Sequence, residues 1–430
     1  MTGKFEANRQ WAEEMDRKDP LGSFRDRFHI PPGTIYADGN SLGLLSKDSE
    51  ECLLRVLGEW KVMGIDGWLR GDPPWFYTAE KLGEMVAPMV GAEADEVVAT
   101  GTTTVNIHSL VSTFYDPDGQ RTKILADELN FPTDIYALQG LIGIRGYDPE
   151  EHLILVPSED GLCLDEDRII DMMTDQVALV HLPSVLYRSG QLLDIKRLTR
   201  EAHRRNIPIS WDCSHSVGTV PHRFDEWDVD CAMWCSYKYL NGGPGGTAFL
   251  YVNRRHFDTS PRLPGWFGYV KDKQFDLRLD FQHQRSAGGW QISSPGILSA
   301  APVEGGLRIS MEAGIQRIRE KSMDLTSYFI YLVDELLSEG PYNFKIGSPR
   351  DPTCRSGHVA LIHETDAWRI SQALKARGVI VDFRPPNVIR VAPAALYCSY
   401  SDVYDICKHL LGIIDKREHE GFTESVEAVS

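Results

Sequence analysis

Six short apolar runs are spaced through the middle of this chain, at 122–126, 152–156, 177–182, 207–211, 229–235 and 247–252. Between the third and fourth lies DIKRLTREAHRRN, charged, amphipathic and of helix length. Strand, helix, strand at that spacing is the βαβ unit of a parallel sheet. Strands of such a sheet are buried on both faces, which accounts for their near-continuous apolar character. The pattern predicts an α/β fold built on a large, mostly parallel sheet.

The flanks read differently. Residues 1–45 form an arm of charged helical residues, then the turn Ile30-Pro31-Pro32-Gly33. The following stretch, Tyr36-Ala37-Asp38-Gly39-Asn40-Ser41-Leu42-Gly43, is too rich in turn residues to be a regular element. Residues 46–64 have helical periodicity, with Leu53, Leu54, Leu57, Trp60 and Lys61 spaced for one face. After residue 309 a helical region at 303–339 gives way to GHVALIH, a helix at 366–377, VIVDF, VIRVAP and a last helix at 401–416. That succession predicts a smaller α+β C-terminal domain over 310–430, packed with the arm, beside a large domain over 46–309.

With 430 residues the chain can bury a large core without disulfides or metals. Its eight cysteines have no paired CxxC spacing and read as reduced thiols. The thirteen histidines include no HExxH, and His215 and His222 lack ligand-spaced partners, so no metal is expected. A formal net charge of -17 argues against nonspecific nucleic-acid binding, which needs Lys/Arg-rich faces. No segment approaches the ~20 apolar residues needed to cross a bilayer, and the charged N-terminus lacks a signal-peptide core. A cytoplasmic location is the resulting expectation.

Five places carry chemistry. Lys238 comes just after the 229–235 run, past Ser236 and Tyr237, and precedes Gly242-Gly243-Pro244-Gly245-Gly246. A lysine leaving a buried strand is desolvated and can form an imine with an aldehyde; a loop lysine at the surface is the plainer alternative. Asp212 ends the 207–211 run, where open α/β sheets bind ligands, and a carboxylate there can keep a pyridine nitrogen protonated. It could equally be a helix cap. Small and hydroxylic residues at 99–104, including Thr103 and Thr104, precede the helical run VNIHSLVSTF and offer an anion site, or simply a threonine cap. Phe131-Pro132-Thr133-Asp134, read as a loop after a strand, could stack an aromatic ring on a planar cofactor or bury it in the core. Finally, Arg390 lies within the apolar run VIRVAP. A buried arginine there either pairs with an Asp or holds an amino-acid carboxylate.

Together these segments resemble the kynureninase family, fold type I pyridoxal-phosphate enzymes related to class V aminotransferases and cysteine desulfurases. The likeness runs from YADGNSLG at 36–43 through FPTD, WDCSHSVG, SYKYLNGGPGG, GWFG at 265–268 and SSP at 293–295 to RVAPAALY at 390–397. The tyrosine before the lysine separates the set from cysteine desulfurases, which usually have histidine there. The resemblance implies that Lys238 carries pyridoxal phosphate as a Schiff base and shuttles the Cα proton. Asp212 would pair with the pyridine nitrogen, with His215 beside it, Phe131 stacked on the ring and Asp134 close by. Thr103, Thr104 and Tyr237 would bind the phosphate, and Tyr237 would also transfer protons. Trp266 and Ser294 would reach the phosphate from a neighbouring subunit, which makes a homodimer with shared sites. Arg390 would hold the substrate carboxylate, and Asn40, Ser41 and Tyr269 would line the substrate site. The implied reaction is hydrolysis of the Cβ–Cγ bond of kynurenine, 3-hydroxykynurenine or a ring-substituted kynurenine, giving an anthranilate-type acid and alanine.

Several positions depart from the family pattern: Tyr269 where histidine is common, Ser294 for asparagine or threonine, Cys398 and Tyr400 for asparagine and phenylalanine, and Leu186 for asparagine. Two alternatives stand beside this reading. A cysteine desulfurase or selenocysteine lyase would need a nucleophile such as Cys354 on a flexible loop. A noncatalytic protein that binds pyridoxal phosphate would have no reason to keep Lys238, Asp212 and Arg390 together.

Overall fold

The computed structural model describes residues 5–423. One strand, β1 (Ile35–Tyr36), lies in the arm. The large sheet contains β2 (Val97–Ala99), β3 (Lys123–Asp127), β4 (Leu153–Val156), β5 (Val177–Pro183), β6 (Ile209–Asp212), β7 (Cys231–Trp234) and β8 (Phe249–Val252). Its order is β2-β8-β7-β6-β5-β3-β4. All neighbours are parallel except β8, which runs antiparallel to both β7 and β2. Residues 235–248, which join β7 to β8, contain no helix, and without a crossover element a strand can only return antiparallel. All six apolar runs are strands; β2, only three residues long, gave no sequence signal.

Every residue of β5, β7 and β8 is buried, as a sheet covered on both faces requires. One face packs Trp211, Trp234, Phe249 and Leu198, the last from the helix Ile195–Arg204. The other packs Leu110, Leu138, Ile124 and Leu250. A third core joins Leu21, Phe24 and Phe28 of the arm to Leu325, Phe329, Ile389 and Leu410.

The C-terminal part holds β9 (Lys345–Ile346), β10 (Val359–Ile362), β11 (Val379–Ile380), β12 (Asp382–Arg384) and β13 (Val388–Val391). β12-β13-β10-β9 form an antiparallel sheet, and β11 instead pairs in parallel with β1. VIVDF is thus two strands in two sheets. No described helix is long and apolar enough to cross a membrane.

Two expectations are corrected. The region 303–339 is two helices, Ile297–Ala313 and Ile315–Leu336, separated at Gly314, whose φ of 80° breaks the hydrogen-bond ladder. The helix Lys47–Met63 buries Ser49, Cys52, Val56 and Glu59, whereas Leu54, Leu57 and Trp60 are exposed. Polar contacts decide its orientation. Ser49 Oγ donates to the Pro302 carbonyl (2.8 Å), and Glu59 accepts the Trp75 indole N–H (2.9 Å).

Candidate active site

β5, β6 and β7 end side by side at the carboxyl edge of the sheet, with Pro183 opposite Asp212 and Asp212 opposite Met233. Asp212 closes β6, and its Oδ1 accepts the Ser214 N–H (2.7 Å). It is a turn former and a carboxylate at the ligand edge at once. Lys238, half-buried in the turn after β7, places Nζ 2.9 Å from His215 Nε2. Burial, reinforced by Lys238 and Arg390, holds the His215 pKa well below the usual histidine range. The imidazole is therefore neutral and can accept an N–H from the lysine. Its Nδ1 is buried without a partner.

Across from them the helix Pro132–Ile144 begins, with Phe131 at its cap and Pro132 in its first turn. Of FPTD, only Phe131 is loop; Thr133 and Asp134 are already helical. Asp134 is wholly buried with both carboxyl oxygens unpartnered. Burial and the neighbouring Asp212 push its pKa well above the carboxylate range, so it is a neutral acid. Phe131 is exposed and meets Tyr187 edge-on at 5.2 Å. Asn130, Phe131, Asp134, Pro183, Val185, Tyr187, Asp212 and His215 line one small recess.

Thr103 and Thr104 occupy the first turn of the helix Thr103–Phe114, capped by Thr102. Thr104 Oγ1 lies 2.8 Å from Thr133 Oγ1, so two helix N-termini meet where an anion would sit. Burial raises the Tyr237 pKa, which keeps the phenol protonated. Trp266 and Ser294 are exposed. Among the described residues neither has a hydrogen bond or ring contact to Lys238 or Asp212. Ser294 shares a cavity of about 280 Å³ with Gly101, Thr102 and Thr247.

Arg390 is fully buried and paired across β12 and β13 with Asp382: Nε donates to Oδ1 (2.6 Å) and Nη2 to Oδ2. Nη2 also reaches Ser41 Oγ (2.9 Å) and Nη1 the Tyr187 carbonyl (2.8 Å). Asn40, its amide nitrogen turned toward Asp38 Oδ1 (3.2 Å), points its oxygen at Arg390 Nε (3.3 Å). The arm motif is tied to the lysine turn as well. Gly43 N–H donates to the Tyr237 carbonyl (2.7 Å), and a Cβ at Gly43 would fall 2.4 Å from the Lys238 carbonyl oxygen.

Several residues here escaped the sequence. Tyr187 touches both Phe131 and Arg390. His358, buried with neither ring nitrogen hydrogen-bonded, lies 5.8 Å from the His215 ring. Asp127, at the end of β3, has its pKa pushed up to about 7 by burial. No spacing rule links them; Asp127 alone carried a signal, as a strand-end acid like Asp212.

The departures scatter. Tyr269 is buried with an unpartnered hydroxyl, edge-on to Phe281. Leu186 is fully buried. Cys398 and Tyr400 pack in the core shared by arm and C-terminal sheet, with Cys398 Sγ on the Tyr36 carbonyl (3.1 Å). Cys354 is exposed and lines a separate cavity with Leu192, His222 and Trp227.

The cluster fits a pyridine aldehyde phosphate. It offers a lysine amine at the mouth of a recess, one carboxylate with an unpartnered buried acid behind it, and two helix N-termini with threonine hydroxyls. Comparison with known proteins agrees. Residues 318–410 match the family described as Kynureninase C-terminal domain. The chain is 55% identical to kynureninase of Geobacillus thermodenitrificans over 426 residues, 99% of both chains, and 53% identical to that of Bacillus anthracis over the same share. Solved structures share the fold. The apo cysteine desulfurase of Thermococcus onnurineus NA1 superposes with TM-score 0.77 at 19% identity, covering 92% of this chain and 98% of that one. A C-DES mutant with glycine covalently linked to its PLP cofactor gives 0.76 at 16%, covering 91% and 98%.

Proposed function

This chain belongs to the kynureninase family, and from that premise we propose how its residues serve a pyridoxal-phosphate hydrolase that splits the Cβ–Cγ bond of kynurenine into anthranilate and alanine. The observation that carries the assignment of roles is the Lys238–His215 contact of 2.9 Å beside Asp212 and the unpartnered Asp134. Pyridoxal phosphate, bound to Lys238, supplies an electron sink for charge developing at the substrate Cα.

The rest is done by the chain. Asp212 would hold a proton on the ring nitrogen, and Asp134, buried near it as a neutral acid, adds no second negative charge. Phe131 and His215, which line the same recess, would hold the cofactor ring between them, His215 being against the lysine amine. Thr103, Thr104 and Tyr237 hold the phosphate. Lys238 Nζ takes the Cα proton, and Tyr237, protonated in the free site, delivers a proton to the reacting carbons. Arg390 holds the α-carboxylate, with Asn40 and Ser41 orienting it. Tyr269 lines the aryl end.

Finer parts of the reading stand with this. The enzyme works as a homodimer in which Trp266 and Ser294 complete the partner's phosphate site. Support comes from their exposure and from the apolar side chains of Trp60, Ile65, Leu69, Phe275 and Leu279 left on the surface. The division at 1–45, 46–309 and 310–430 is supported by the core that arm and C-terminal sheet share. A cytoplasmic location is supported by eight free cysteines.

Assay of the purified protein on a panel of ring-substituted kynurenines, read by fluorescence of the anthranilate product, tests the function. Borohydride reduction should place the cofactor label on Lys238. A label on any other side chain overturns the assignment.

A further inference from the structure

Two acids and two arginines interleave where the arm meets β12 and β13. Asp382 is shared: Arg390 grips both its oxygens, and Arg384 Nη2 also donates to Oδ2 (2.7 Å). Arg384 is only partly buried, and its Nε is buried without a partner. Asp38, from the arm, closes the group from the far side through the Asn40 amide. It is held there by the backbone bridge between Asp38 and Ala392. Among the described residues, the charged and titratable groups facing Asp38 include Asp382 and Arg384 on β12, Arg390 on β13, and the phenols of Tyr36, Tyr239 and Tyr397.

We propose that Asp38 sets the charge of the substrate-carboxylate pocket: as a neutral acid it leaves Asp382, Arg384 and Arg390 with one net positive charge, which a single α-carboxylate completes. As a carboxylate, Asp38 balances the pocket by itself and competes with the substrate. The inference rests on the reading of Arg390 as the carboxylate-binding residue.

Burial and then the repulsion of Asp382 push the Asp38 pKa up to about 7, so the competition falls within the working range. Below that value the acid is neutral and the pocket accepts an anion. Above it the carboxylate forms and binding of an anion weakens. Asp38 is a positioning residue, acting through Arg390 and Arg384 rather than on the reacting atoms.

The test uses the holoenzyme and the desamino analogue of kynurenine, 4-(2-aminophenyl)-4-oxobutanoate, which carries the carboxylate but has no amine to react with the cofactor. Its Kd is measured by calorimetry from pH 6 to 9. Wild-type Kd should rise by about fivefold or more across the range, as uptake of one proton on binding requires. In Asp38→Asn the profile should be flat within about twofold. An equal slope in Asp38→Asn overturns the inference. Asp38→Ser, with the same expected flat profile, serves should the asparagine variant fail to fold. Arg390→Gln separates the two readings: unchanged binding at pH 6 removes Arg390 from the pocket, whereas lost binding there with an unchanged slope in Asp38→Asn refutes Asp38 alone.

Discussion

Lys238 Nζ and His215 Nε2 lie 2.9 Å apart at the carboxyl edge of the large sheet, one residue from the turn after β7 and the other from the turn after β6. The neutral imidazole gives the lysine a fixed acceptor without competing for charge. With Lys238 proposed as both anchor and base, Lys238→Ala should abolish turnover, by about 10⁴-fold or more. The visible absorbance of the lysine-bound cofactor should vanish with it. Retention of either the spectrum or the activity would sink the assignment.

Arg390 and Asp382 are both almost fully buried, so removing one strands the other. Arg390→Ala should lower stability by about 3 kcal/mol, near the low end for such a loss because Arg384 still pairs with Asp382. The double variant Arg390→Met with Asp382→Leu should recover part of that loss in urea melts. In kinetics Arg390→Lys, which keeps a cation but loses the fork, should raise KM by roughly tenfold.

Asp127 supplies a stability test with a defined sign. Burial raises its folded-state pKa from 3.8 to about 7. The native state therefore holds a proton that the unfolded chain releases between those values, and this group's contribution to stability is lost as pH rises from about 4 to 7. Asp127→Asn carries no such proton. Its stability relative to wild type should improve across that window, by at most about 4 kcal/mol, and stay constant above it. Urea titrations at pH 5 and pH 8 that give the same difference would exclude a raised Asp127.

The shared-site reading predicts complementation. Lys238→Ala and Trp266→Ala proteins should each be inactive or nearly so. Dissociated and remixed, they should regain about one quarter of wild-type activity, because half of the dimers then contain one intact site. Activity that stays at the level of the two parents would place Trp266 outside the partner's site.

The sequence by itself marked six of the seven strands of the large sheet, and Lys238 and Asp212 near strand ends as candidate cofactor residues. Buried parallel strands are apolar throughout, and Lys238 and Asp212 are polar groups at strand ends, so both are written locally. The family motifs added the proposed phosphate and ring residues. What tertiary structure decided was which groups meet across the chain. The helix at 47–63 turned Leu54 and Leu57 outward, with Ser49 donating to the Pro302 carbonyl and Glu59 accepting from Trp75 on its buried face. The sequence left Arg390 balanced between a structural Asp and a substrate carboxylate. In the fold it has the Asp; Asp38 and Ser41 are brought to that pair from more than three hundred residues away, and Arg384 joins it from the same hairpin. Periodicity reports how one segment faces its own surroundings; the charge state of a pocket depends on what distant segments bring to it and on how far burial removes them from water.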